Sequence, residues 1–354
     1  MTSATNPSPA YLNQLDAETG RRMETAQAPA SPYAGAAAKL AAAVEAQVDA
    51  LAADLNDVVH TLHGDPETAY EEHRSAAFLV ELLRRHGIKA ELGVHGLPTA
   101  IRAEIGSASA PLDAGTDSEP AIAILSEYDA LPEVGHACGH NVIAATGAGA
   151  FIALAKTLEE NPEAFPGRVV FLGTPAEEGH SGKEVMARNG AFDDVDAAIM
   201  VHPYAMDLAE QVWLGRRLLT VTFSGVAAHA SAQPFMGRNA LDAASLAYSA
   251  IGLLRQQLPP VDRVHAIITE GGQRPSVIPE KAVMKLYARS KYPETLKDLS
   301  SRLEDIARGA ALMTGTGVSI DWDEHPPSLP VLRRAVADEF AAAGGPVDVA
   351  RYFD

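Results

Sequence analysis

The chain has one cysteine, Cys138, in 354 residues. No disulfide can form within it, and the compositional case for a secreted, disulfide-stapled fold falls away. Positive charge is scarce too: 28 Lys and Arg stand against 46 Asp and Glu, a net charge of -18 with histidine neutral. Such a balance repels a phosphate backbone rather than collecting on it, so no nucleic-acid partner is expected. Met1 to Pro32 lacks a basic stretch followed by an apolar run, which argues against a secretory leader or a membrane span there. The expectation is a flexible N-terminal tail (1–33) on a cytoplasmic protein with no membrane partner. Internal repeats are lacking, and the alanine bias is the nearest approach to low complexity.

What the chain does have is bulk for a large core: 47% of residues are hydrophobic and the mean hydropathy is -0.02. At roughly 150 residues per domain the length suggests about two domains. Leu40, Val44, Val48, Leu51 and Leu55 recur at helical spacing within Ala36 to Leu62. A break at Gly64-Asp65-Pro66 ends that helix, and the period resumes from Tyr70 to His86. Gly106 to Pro120, rich in Gly, Ser, Ala and Asp, reads as an exposed loop.

Three short apolar runs follow, Ala121 to Leu125, Val169 to Leu172 and Ala197 to Val201, and helical patterns separate the first two. They read as parallel strands covered on both faces. Glu127 and Asp129 follow the first run, Glu177 and Glu178 the second, and His202 the third. In open α/β sheets ligands gather at these carboxyl ends.

From Leu218 the rhythm becomes strand (Leu218 to Ser224), helix (Ala240 to Gln257), strand (Val264 to Thr269), strand (Ala282 to Arg289), helix (Glu294 to Met313) and strand (Val318 to Trp322). That is the order of a ferredoxin-like α+β unit. Alternation along Ala282 to Arg289 turns Arg289 away from the helix-packed face.

The densest constellation is His136-Ala137-Cys138-Gly139-His140-Asn141. Thiolate and imidazole both suit zinc-like ions, and Gly139 lets the backbone turn sharply enough to aim both at one point. A buried hydrophobic cysteine is the plainer alternative. Thr174-Pro175-Ala176-Glu177-Glu178-Gly179 follows a strand. Adjacent residues of an extended segment point opposite ways, so one carboxylate can ligate while its neighbour handles protons. His202, before Pro203, is either a turn histidine or a further ligand. Asn141 is read as a candidate N-cap for a helix over Val142 to Leu158.

These residues belong to longer motifs: His63-Gly64-Asp65-Pro66-Glu67, Ser126 through Pro132, Gly135 through Asn141, Pro175 through Gly179, Gly225 through Ala243 with His229, and Gly271 through Pro279. In kind and order, over roughly residues 60 to 325, they resemble metallopeptidase family 20. The likeness is to its amidohydrolase branch of p-aminobenzoyl-glutamate hydrolase subunits, aminoacylase-like proteins and a β-alanyl-lysine dipeptidase.

The resemblance implies a doubly wound, mostly parallel α/β catalytic domain (34–215) with an inserted ferredoxin-like lid and dimerisation domain (216–327), followed by the start of a catalytic return (328–354). It implies two divalent metal ions, Zn or Mn, with Cys138 in the bridging position and His140, Glu178 and His202 as ligands. Glu177 matches the general base, and Asp129 an acid that orients a ligating residue. His229 matches a histidine that reaches the neighbouring subunit's active site in a homodimer. Ser276 and Arg289 match positions that hold a substrate carboxylate, with Ser276 standing where Asn is usual.

The implied activity is hydrolysis, by a metal-activated water, of an N-acyl amino acid, a dipeptide or a p-aminobenzoyl-glutamate-like amide carrying a free carboxylate. The family pattern also ends in a ligand histidine, and no histidine follows His325. An impaired or truncated relative, acting as a metal- and carboxylate-binding subunit, is therefore the alternative expectation.

Overall fold

A computed structural model describes residues 8–25, 36–106, 120–204 and 214–323. The expected loop over Gly106 to Pro120 falls almost wholly outside them, as do His325 and the return over 328–354. Helix α1 (Ala10–Thr25) occupies much of the stretch expected to be a flexible tail, and none of its residues is buried. The single helix read over Ala36 to Leu62 is two, α2 (Ala38–Ala50) and α3 (Ala52–Gly64), joined at the buried Leu51.

Helix α4 (His73–Arg85) begins three residues later than its period suggested. Tyr70 takes φ 68°, outside the helical region, and the Glu67 carboxylate meets the first turn from outside. It accepts the Arg74 and Ser75 N–H groups at 3.2 and 2.7 Å and the Ser75 hydroxyl at 2.8 Å. Glu67 thus does for α4 what an N-cap side chain does, with the charge sign the helix start favours. Glu67→Ala is expected to lower stability by about 2 kcal/mol, since bonds to a buried charge are lost together; an unchanged denaturant midpoint would contradict that role.

The first sheet contains β1 (Ala90–Leu92), β2 (Ile101–Gly106), β3 (Ala121–Ser126), β4 (Arg168–Gly173) and β5 (Ala197–Ile199), in the order β1-β2-β4-β3-β5. β3 pairs in parallel with β4 and β5, as the apolar runs predicted, whereas β2 pairs antiparallel with both β1 and β4. The expectation of a mostly parallel sheet is corrected to a mixed one. Strand alternation serves two cores. Val169 and Phe171 face α3, α4 and the long helix α5 (His140–Glu160), while Val170 and Leu172 face a smaller cluster containing Met186 of α6 (Gly182–Arg188). Helix α5 is long and apolar enough to cross a membrane, yet much of it lies in the core beside β3 and β4.

The second sheet realises the strand-helix order read from the sequence: β6 (Gly215–Ser224), α7 (Ala240–Leu254), β7 (Arg263–Glu270), β8 (Lys281–Ser290), α8 (Pro293–Thr314) and β9 (Gly317–Trp322). Strand order is β7-β8-β6-β9 and every pairing is antiparallel. Ala282, Met284, Leu286 and Ala288 join α7 and α8 in one core, and Arg289 lies on the opposite face, its guanidinium 4.9 Å from the Tyr287 ring centre.

Candidate active site

Three strands of the first sheet deliver their following residues to one place. Beyond β3 come Glu127 and Asp129, beyond β4 Glu177 and Glu178, and beyond β5 His202. Helix α5 starts there with His140. Its N-cap is Gly139 at φ 86°, and a β-carbon on that residue would stand 2.9 Å from Pro203 Cγ. Glycine is needed twice over, for the left-handed turn and for the close approach of the His202-Pro203 segment. Asn141 is not the cap: it lies inside the first turn of α5 and donates to the Val59 carbonyl at 3.1 Å.

The Glu177 segment is turned by Ala176, which adopts φ 58°. That conformation is held from both sides. The Ala176 N–H donates to the buried Glu72 carboxylate at 2.8 Å, and the Ala176 carbonyl accepts from Gly182 N–H at 2.9 Å. A left-handed alanine beside candidate catalytic carboxylates is backbone strain fixed by its surroundings.

Cys138 Sγ, a His140 ring nitrogen and a His202 ring nitrogen lie within 4.8 Å of one another, and so do ligand atoms of His140, Glu177 and Glu178. Cys138 Sγ is 3.9 Å from His202 Nε2, whose ring partner Nδ1 donates to the Pro203 carbonyl at 2.8 Å, leaving Nε2 as the acceptor. His140 is oriented in the same way. Its Nδ1 contacts the Asp129 carboxylate at 2.9 Å and the Asp129 carbonyl at 3.0 Å, and Nε2 faces the acids. The other Asp129 oxygen accepts the Glu178 N–H at 2.8 Å, so one buried carboxylate aims two candidate ligands.

Charges in the cluster are strongly coupled. Burial opposes a charge on His140, but Asp129, Cys138 and Glu127 raise its pKa to about 11. Burial would likewise raise Asp129, yet His140 and the Glu178 N–H hold it below its ordinary value. His140 and His202 lower the Cys138 thiol. Burial lifts the Glu177 carboxyl above the usual range, with Lys183 pulling the other way, a setting suited to a group that must both take and release a proton.

Among the described residues, His140 Nε2, Glu127 Oε2 and Glu178 Oε1 are buried without a hydrogen-bond partner. Unpartnered buried polar atoms cost about 1–3 kcal/mol each, more when charged. Converging on one region, with a thiol and a second imidazole beside them, they form a donor set that fits divalent cations.

The remaining expected site residues lie in the second-sheet region. His229 follows β6 in an exposed loop, where Nδ1 accepts from Ser231 and Ala232 N–H groups at 3.3 and 3.2 Å, so Nε2 carries the proton. Ser276 is beside it, its carbonyl accepting from Ala230 N–H at 3.0 Å. Arg289 is at the far end of β8, eight residues beyond Lys281 and roughly 27 Å along the strand at its usual rise. Ser276 thus precedes β8 while Arg289 lies near the strand's far end.

Sequence reasoning passed over Glu72 and Lys183 and gave Glu127 no role. Lys183 donates to Glu127, and Glu72 accepts from Tyr70 N–H, Ala176 N–H and the Thr99 hydroxyl. Only the position of Glu127 after β3 marked it beforehand.

The chain is similar to known proteins over most of its length. It is 40% identical over 304 residues to a mouse Xaa-Arg dipeptidase, covering 84% of this chain and 70% of that protein. It is 35% identical over 298 residues to one of the Escherichia coli p-aminobenzoyl-glutamate hydrolase subunits, covering 78% of this chain and 60% of that protein. A solved Bacillus subtilis dinuclear metal binding peptidase shares the fold with a TM-score of 0.58 at 22% identity, over 84% of this chain and 81% of that one. Residues 123–343, from within β3 past the end of β9, match the model of one hydrolase family. With carboxylates, thiol and imidazoles gathered at the strand ends inside that match, the chain belongs to peptidase family M20/M25/M40.

Proposed function

We propose that the chain is a metal-dependent amidohydrolase acting on an N-acyl amino acid, a dipeptide or a p-aminobenzoyl-glutamate-like amide with a free carboxylate. Cys138, His140, Glu178 and His202 would hold two divalent ions. The observation that carries this reading is the meeting of these donors at three strand ends with buried, unpartnered donor atoms among them. Thiolate and imidazoles favour zinc, and the carboxylates also admit manganese. When bound, such ions polarise the amide carbonyl and make water a stronger acid.

The chain's own residues do the rest. Glu177 takes a proton from the attacking water on a carboxylate oxygen and returns it to the leaving nitrogen. Asp129 keeps His140 and the Glu178 backbone in register. The Nε2–H of His229 is a donor suited to the developing oxyanion. Arg289 offers a two-pronged fork to the substrate carboxylate.

A homodimer joined through the second-sheet domain, acting as lid, makes these roles compatible. Arg289 and the pair His229–Ser276, at opposite ends of one chain's sheet, would serve the same substrate from two subunits.

The test is metal content per chain after loading with zinc or manganese, paired with hydrolysis of N-acetyl amino acids, p-aminobenzoyl-glutamate, β-alanyl-lysine and a dipeptide ending in arginine, the last suggested by the mouse relative. Two ions and turnover of at least one amide are expected. Metal binding without turnover of any would overturn the enzymatic reading in favour of a role in binding alone.

A further inference from the structure

Glu127 has a geometry that its ion pair does not explain. One carboxylate oxygen accepts from Lys183 Nζ of α6. The other, Oε2, is buried, has no hydrogen-bond partner among the described residues, and stands 3.3 Å from the equally unpartnered His140 Nε2. The neighbouring Glu184 shares this pattern, pairing Oε1 with Arg188 and leaving Oε2 buried and bare, whereas two other deeply buried acids do not. Glu67 and Glu72 each engage both oxygens with backbone N–H or hydroxyl donors. Leaving a carboxylate oxygen buried and bare is costly, and what sets Glu127 apart is that its bare oxygen faces a second bare atom, His140 Nε2, at 3.3 Å.

The spacing suggests what satisfies it. Donor atoms at about 2.0–2.2 Å from a tetrahedral ion lie roughly 3.4 Å from each other, close to the Glu127–His140 separation. Glu177 and Glu178 oxygens lie farther from the same nitrogen, at 4.0 and 3.9 Å. Resting on the two-metal reading above, we propose that Glu127 is a further ligand of the ion held by His140, and that Lys183 is the positioning residue that presents it. Charge permits the assignment without requiring it, because Lys183 offsets Glu127. Cys138, Glu127, Asp129, Glu177 and Glu178 together carry as many negative charges, when ionised, as two divalent ions and the Lys183 ammonium carry positive ones.

The experiment is cobalt(II) titration of the full chain, followed by calorimetry and visible absorption, for the unaltered protein, Glu127→Gln, Glu127→His and Lys183→Met. Circular dichroism of each variant checks the fold. Glu127→Gln is expected to weaken one of two binding events at least tenfold and to change the absorption of that cobalt ion. Glu127→His, which supplies another ligand type while giving Lys183 no countercharge, is expected to restore affinity. Lys183→Met is expected to weaken the same event by less.

A folded Glu127→Gln with both affinities and the spectrum unchanged would overturn the proposal. So would loss of binding in Glu127→Gln that His fails to restore, for that would mark a countercharge rather than a ligand. If the unaltered protein bound no cobalt, the two-metal reading itself would fail, an outcome distinct from either.

Discussion

Glu177→Gln is expected to reduce turnover at least about a thousandfold while leaving metal content and the fold intact. Glutamine keeps the shape and hydrogen-bonding reach of the side chain but cannot accept the proton that the attack releases, and removal of a general base typically costs 10²–10⁴-fold. Burial holds the Glu177 carboxyl above its usual range, which suits the proposed return of the proton to the amine. Rates and metal content measured on the same sample decide the matter: loss of an ion together with activity would make Glu177 a ligand instead.

The same variant probes the dimer arrangement. Mixed and reassembled with His229→Ala, each inactive alone, it is expected to regain about a quarter of normal activity, because half of randomly paired symmetric dimers would hold one intact site of two. No recovery despite demonstrated exchange of chains would sink the shared-site reading.

Asp129→Asn is expected to weaken metal binding by about 10–100-fold, the usual effect of disturbing a residue that orients a ligand. The carboxylate accepts on both oxygens, from His140 Nδ1 at 2.9 Å and from the Glu178 N–H at 2.8 Å. An amide must turn its NH2 toward one of them, setting donor against donor. Either His140 loses the tautomer that leaves Nε2 open, or the Glu178 segment shifts. Competition against a chromophoric chelator reads the affinity; an unchanged value would mean that the Asp129 carbonyl, 3.0 Å from the same His140 nitrogen, is sufficient to orient the ring.

The sequence was most legible where chemistry follows a strand. Apolar runs ending in Glu127 and Asp129, in Glu177 and Glu178, and in His202 marked three neighbouring strands, and alternation along β8 placed Arg289 on the open face. β1 and β2 escaped because their signals are weak. β1 has three residues, and β2 carries Arg102 and Glu104, which join Arg168 and Asp194 in an ion network instead of an apolar run. The break at Leu51 was hidden because the helical period continues through it. Glu72 could not be read because its partner Ala176 is 104 residues away.

The route by which the cluster is assembled has one more consequence. Cys138 and His202 meet across 64 residues, a stretch containing α5, β4, α6 and β5. An ion gripped by both, as proposed above, would act as a reversible cross-link closing that loop and would bind the folded chain in preference to the unfolded one. On the two-metal reading, ion availability would set how long the fold survives as well as how fast the site works, so that a chain starved of metal would be handicapped twice.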